Sequence, residues 1–180
     1  MRKQPFNLII THYPGYDNFV VAKSQLHEIL EDIRVVDSSQ SIMLVLVKDP
    51  YEAVEKIRNS GLRDTPILRV IPVDDVVDVY VDRIAKSVHE LLYSKSKPNE
   101  SFMIKIDGKV YKYSDGEITR IHRSEAIDII AKNIDRPVNL SSPDWLVYIK
   151  TVRMYRATEL AAITVCRPNQ ILSFSSGSWG

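Results

Sequence analysis

Apolar positions in the first part of the chain switch between two spacings, and the switches mark short strands and amphipathic helices. Residues 6–11 form an apolar run closed by Tyr13-Pro14-Gly15, the pattern of a strand followed by a turn. Over residues 18–33, Val20, Ala22, Leu26, Ile29, Leu30 and Ile33 recur close to every 3.6 residues, which predicts a helix capped by Asp17. Val35-Val36 is a minimal strand before the turn cluster of residues 37–40, and residues 42–47 are continuously apolar over a strand's length. Asp49, Pro50 and Glu52 announce the next helix. The carboxylate can accept from the first unpaired N–H groups, and proline lacks the N–H that would go unpaired at the first position. Ala53, Val54 and Ile57 face inward, Gly61 fits the C-terminal cap, and Thr65-Pro66 leads into a strand over 67–73. The order is β-α-β-β-α-β, the split βαβ arrangement of a ferredoxin-like unit.

A second set of elements follows. Asp74-Asp75 start a predicted helix over 76–93 whose stripe is Val77, Val81, Ile84, Ala85, Val88, Leu91 and Leu92. Residues 94–99 are a polar connector containing Pro98. Residues 101–106 read as a strand, Asp107-Gly108 as a hairpin turn and 109–113 as its return, with Ser114-Asp115-Gly116 a second turn. Ser124 caps a predicted helix over 125–135 that Pro137 ends. Strands are expected over 145–154 and 158–166, joined at Tyr155-Arg156, with a short edge strand over 171–174 and a frayed tail beyond it. The pattern predicts an α/β (α+β) protein in two parts, a ferredoxin-like domain over 1–74 and a second α/β domain over 75–180.

Composition narrows the compartment. The 180 residues are 44% hydrophobic and 26% charged, enough apolar surface for a real core. One cysteine forms no internal disulfide and no zinc site alone. There is no signal-peptide pattern at the start and no run of some 18 apolar residues, so the expectation is a cytoplasmic, soluble protein. The formal charge of +1 averages two unlike halves, −3 over residues 1–90 and +4 over 91–180. Such asymmetry suits a polyanionic partner for the basic half, although a swing this small also arises by chance.

Familiar catalytic signatures are missing. No GxGxxG follows a strand and no GxxxxGK[ST] occurs, so neither dinucleotide nor P-loop chemistry is expected. Residues 175–178 (SSGS) superficially resemble a phosphate loop, with no helix behind them to supply a dipole. His12, His27, His89 and His122 lack metal spacing, and Cys166 sits in an apolar strand as a buried, inert thiol would. Asp74, Asp78 and Asp82 would share a helix face. They could recruit Mg²⁺, but suit equally a solvated face favoured by the helix dipole. No metal or cofactor is expected.

The positive signal is basic. Arg120, His122 and Arg123 approach the 125–135 helix, and Lys132 and Arg136 lie on its polar side. Lys150, Arg153 and Arg156 cluster at the end of the long strand with Tyr148 and Tyr155 interleaved, and Arg167 follows the next strand. Cationic groups neutralise phosphates and release counterions, and tyrosine rings offer stacking faces to unpaired bases. Basic residues at strand ends also serve simply to keep a surface soluble.

Three segments in order, residues 120–134 (RIHRSEAIDIIAKNI), 138–152 (VNLSSPDWLVYIKTV) and 158–166 (TELAAITVC), resemble a THUMP domain. Asn139 stands where that family commonly has Asp, and Ile71-Pro72-Val73-Asp74 resembles its junction with a ferredoxin-like unit. The resemblance implies tRNA binding. With no stretch left for a catalytic domain, it is nearest the stand-alone branch, a non-enzymatic adaptor presenting tRNA to an acetyltransferase that forms N4-acetylcytidine. On electrostatic grounds the expected RNA-binding residues are Arg120, Arg123, Lys132, Arg136, Lys150, Arg153, Tyr155, Arg156 and Arg167. Two other readings stay open: a small enzyme or ligand-binding protein using the ferredoxin-like unit, and a protein-interaction module with a basic face.

Overall fold

A computed structural model describes residues 3–174. The chain divides into two compact units, one formed by the chain up to Val73 together with its return from Asn169, the other by Asp74–Pro168. Residues 175–178, with their phosphate-loop look, lie outside the described residues.

In the first unit β1 (Leu8–His12), α1 (Tyr16–Ile29), β2 (Arg34–Ser38), β3 (Ile42–Leu46), α2 (Pro50–Asn59) and β4 (Ile67–Pro72) follow the predicted order. Their strands form an antiparallel sheet in the order β4-β1-β3-β2. The two helices close its core, where Ala22, Leu26, Val54 and Ile57 meet Leu8, Ile10, Met43, Val45 and Val70. Asp49 caps α2 as its spacing predicts, its Oδ1 accepting from the N–H groups of Tyr51 and Glu52 at 3.0 and 3.1 Å. At α1 the prediction misses. Gly15 is the N-cap, Asp17 lies inside the first turn, and the helix stops at Ile29 because the chain turns through Asp32 at φ 53°.

The last predicted strand, β11 (Leu172–Ser173), is real but joins this first sheet, pairing with Val70 and Arg69 of β4. Leu172 is buried in that core, so the β4 edge is covered by sequence just over a hundred residues away.

The second unit carries a mixed sheet, the architecture expected of a THUMP-like α/β domain. Its order is β5 (Asp75–Asp78), β10 (Thr158–Cys166), β9 (Trp145–Met154), β6 (Phe102–Asp107), with β6 and β9 parallel and the other neighbours antiparallel. Helix α3 (Val81–Lys95) and helix α4 (Arg123–Ala131) cover it, burying Ile84, Val88, Leu92, Ala126 and Ile130 against Phe102, Val147, Ile149, Ile163 and Val165. A separate hairpin, β7 (Val110–Ser114) with β8 (Glu117–Ile121), stands between β6 and α4.

Three expectations fail here, the first two for a tertiary reason. Residues 75–78 are a strand because β10 offers them a ladder, and their β-branched valines suit it; the helix begins only at Val81. Asp74, Asp78 and Asp82 therefore share no helix face. Asp74 instead accepts from the Val165 N–H at 2.7 Å and pairs with Lys95 at 2.8 Å. The turn at Asp107-Gly108 makes no hairpin, because β6 pairs with β9; the hairpin is at Asp115-Gly116, whose φ values of 53° and 79° are the left-handed pair that a tight β-turn of this kind requires. Finally, His122 rather than Ser124 caps α4, and the helix ends at Ala131, ahead of Asn133 at φ 71°. Among the described residues no helix is long and apolar enough to cross a membrane, and no group of three or more His, Cys, Asp or Glu side chains is placed to hold a metal ion.

Candidate nucleic-acid interface

Two parallel strands need a crossover, and here it runs from β6 through the hairpin and α4 into β9. In open α/β sheets, ligands favour the crevice outside the carboxyl end of a strand, where the next helix begins. A cleft of about 510 Å³ lies at that point in the second unit, lined by Ile106 and Gly108 at the end of β6, Val110 and Ile121 of the hairpin, and Arg120, His122 and Arg123. Its floor is apolar because Val110 and Ile121 pair across the hairpin and are buried together. Its rim is cationic. Arg120 and Arg123 are exposed, and neither has an acidic partner among the described residues.

The helix end adds to that charge. His122 Nδ1 accepts from the Ser124 N–H at 3.2 Å and from the Ser124 hydroxyl at 2.8 Å. Such bonding leaves Nε2 to carry the proton in the neutral ring. The positive end of the helix dipole lies beside the two arginines.

Gly108 explains how β6 can end so close to β9. Its φ is 121°, and a Cβ there would sit 1.8 Å from Thr151 Oγ1. That hydroxyl accepts from the Lys109 N–H at 3.0 Å, pinning the chain where it leaves the sheet.

The remaining predicted RNA-binding residues fall into two groups. Lys132 is exposed at the C-cap of α4, while Arg156 is exposed in the turn between β9 and β10. There Tyr155 and Arg156 both hold left-handed backbone, at φ 53° and 69°, and the Tyr155 side chain is exposed. The others are held by their own unit. Lys150 pairs with Asp107 at 2.7 Å, and Arg153 with Glu159 at 3.4 Å. Arg136 stacks on Tyr93, 4.5 Å from the ring centroid, and donates to Ser96 Oγ. Arg167 lies 3.9 Å from the Trp145 ring centroid and pairs with Glu100 at 2.9 Å.

Glu100 is a hub of that last cluster. The Lys97 N–H donates to it, as do the Trp145 indole and Arg167, and these bonds hold its carboxyl down at about 2. Tyr148 is buried rather than free to stack, with its hydroxyl donating to Asp107. Cys166 is buried as expected. Burial, with the Asp74 charge behind it and Lys95 opposing, pushes its thiol up to about 12. Pattern reading picked out the cationic rim but missed Gly108 and the apolar floor; the only available signal was a glycine directly after a strand.

Neither a protein-family model nor a curated relative matches the sequence. Among solved structures, the fold is similar to that of PH1313 from Pyrococcus horikoshii Ot3, at 14% identity over 90% of this chain and 55% of that one, TM-score 0.52. It is also similar to TrmN from Thermus thermophilus, at 16% identity over 88% and 44%, TM-score 0.50. At these identities the likeness is one of fold. The chain spans about half the length of the structures it matches.

Proposed function

We propose that this chain is a tRNA-binding protein of the THUMP type that works in the cytoplasm without chemistry of its own, presenting tRNA to a separate modifying enzyme. One observation carries the reading: the cleft at the carboxyl end of β6 sets two unneutralised arginines and a helix N-terminus around an apolar floor. Phosphate oxygens suit such a rim, and an unpaired base or ribose suits the floor. Lys132 and Arg156 extend the positive surface, whereas Arg136, Lys150, Arg153 and Arg167 act first as supports of the unit that displays it. The resemblance of residues 120–166 to THUMP domains supports tRNA as the polyanion. Its stand-alone branch supports the adaptor role, with an N4-acetylcytidine-forming acetyltransferase as the enzyme served.

Anisotropy titration of labelled tRNA over a salt series tests the binding. Log affinity should fall linearly with log salt, and Arg120→Glu with Arg123→Glu should weaken binding and flatten the slope by about one unit per lost phosphate contact. Binding no tighter than to an unrelated acidic polymer at low salt would end this reading. The adaptor role is tested by adding the chain to a tRNA acetyltransferase and measuring N4-acetylcytidine formed; no stimulation would remove it.

A further inference from the structure

The hairpin of β7 and β8 is a sheet of two strands, and β8 pairs with no strand but β7 among the described residues. The turn fixes which groups face its open edge. Asp115 and Gly116 form a two-residue loop, so Ser114 and Glu117 close it as a hydrogen-bonded pair, and bonded and non-bonded pairs alternate from there. Tyr113–Ile118 and Tyr111–Arg120 are then the non-bonded pairs, whose backbone groups turn away from the partner strand. On β7 this is seen directly, because the Tyr111 N–H donates outward to the Val79 carbonyl at 3.0 Å. On β8 the N–H and C=O groups of Ile118 and Arg120 face outward in the same way, unbonded to backbone of the described residues. A register without a bulge, in a strand without proline, leaves this ladder open to a further strand.

The side chains suit a particular strand. Opposed residues share a face, and the faces alternate along the ribbon. Tyr111, Tyr113, Ile118 and Arg120 lie on one face, where the Tyr113–Ile118 pair is 60% and 58% exposed. Lys112, Thr119 and Glu117 are exposed on the other. A two-stranded ribbon is marginal in water, and further strands stabilise it.

We infer that a second copy of this chain adds its own β8 antiparallel to this edge, about a two-fold axis at Ile118, so that two hairpins join into one four-stranded sheet. The axis stands perpendicular to the ribbon and sets one residue of β8 opposite itself. At Glu117 or Arg120 it would oppose two like charges. At Thr119 it would run the partner's Glu117 against Ile121, which is buried in the unit. At Ile118 it uses only the exposed stretch, ending with the partner's Gly116 opposite Arg120. One face then carries an unbroken row of Tyr113, Ile118, the partner's Ile118 and the partner's Tyr113. On the other face the partner's Glu117 falls opposite Thr119, one strand from Lys112, and at the end of the ribbon the partner's Asp115 comes beside Arg120. Symmetry makes each of these contacts twice. Lys112, Asp115, Glu117 and Arg120 have no ion-pair partner within the chain among the described residues, so the charges of one copy are free to meet those of the other.

Sedimentation velocity of the whole chain without RNA tests this, over concentrations from about 1 μM to about 1 mM, where a small interface associates. The 20.6 kDa monomer should give way to a species of twice that mass as concentration rises. Ile118→Lys opposes two ammonium groups on the axis and removes the central apolar pair, so it should weaken association at least about tenfold, with the fold checked by circular dichroism. Cysteine variants read the register independently. The Cα atoms of opposed, hydrogen-bonded residues lie about 5.5 Å apart, so a short bismaleimide should link two copies of Ile118→Cys. Two copies of Tyr113→Cys would hold their thiols three strand spacings apart, roughly 14 Å, and should stay unlinked. Native Cys166 is buried and does not compete. A monomer at every concentration overturns the inference and leaves the edge to a strand of another protein. A dimer that Ile118→Lys leaves intact, or linking at Tyr113→Cys as efficient as at Ile118→Cys, overturns it as well.

Discussion

Adding one methyl group at Gly108 is a severe test of how β6 meets β9. In Gly108→Ala the new Cβ would lie 1.8 Å from Thr151 Oγ1, 3.0 Å from Thr151 Cβ and 3.3 Å from the Thr151 backbone nitrogen. Rotating the threonine removes the worst contact but abandons the bond from the Lys109 N–H, which costs about 1 kcal/mol. The other two contacts remain tight, and a backbone at φ 121° adds strain of about 1–3 kcal/mol for any residue with a side chain. The total comes to about 3 kcal/mol. Gly116→Ala is the control: its φ is 79° and nothing lies within 4 Å of the new Cβ, so it should cost only about 1 kcal/mol. Urea denaturation of both variants, compared at unchanged m-value, reads the difference. Thr151→Ala in the Gly108→Ala background should recover part of the loss, a coupling that a double-mutant cycle detects. If Gly108→Ala falls within about 0.5 kcal/mol of Gly116→Ala, well inside the expected gap, the close approach is not there.

Glu100 should give the unit an acid-labile contribution. Its carboxyl is held down at about 2 from an ordinary 4.5, so its bonds stabilise the fold above about pH 4.5 and are lost as pH falls towards 2. Glu100→Gln should flatten that part of the stability–pH curve, measured by thermal unfolding at closely spaced pH values; an unchanged curve would refute the assignment. Cys166 should not react with a disulfide reagent at pH 8 while folded, and should react fully in denaturant, because its thiol is buried and pushed up to about 12. Arg156→Gly should stabilise the chain by about 0.5–1 kcal/mol, since glycine accepts φ 69° without strain, and should weaken tRNA binding at the same time. A stabilised variant with unchanged tRNA affinity would remove Arg156 from the interface.

Local chemistry written in one segment was readable in advance. Asp49-Pro50 started its helix because a carboxylate and an absent N–H act within a single turn, whatever surrounds them. The long strands β9 and β10, their turn at Tyr155-Arg156 and the ferredoxin-like order followed in the same way from period and punctuation. Arg120 and Arg123 were visible as candidates because charge is a property of the residue.

What tertiary structure alone decided was partnership. Two valines beside Asp75 became strand rather than helix because β10 supplied a ladder, and Asp107-Gly108 was no hairpin turn because β6 found a parallel neighbour some forty residues on. Of nine candidate binding residues, four were taken up by Asp107, Glu159, Tyr93 and the Glu100–Trp145 cluster, contacts that no local pattern encodes. The order of elements was written in local spacing and capping. Which cations remain at the rim of a cleft depends on long-range pairings that satisfy some charges and leave others in solvent.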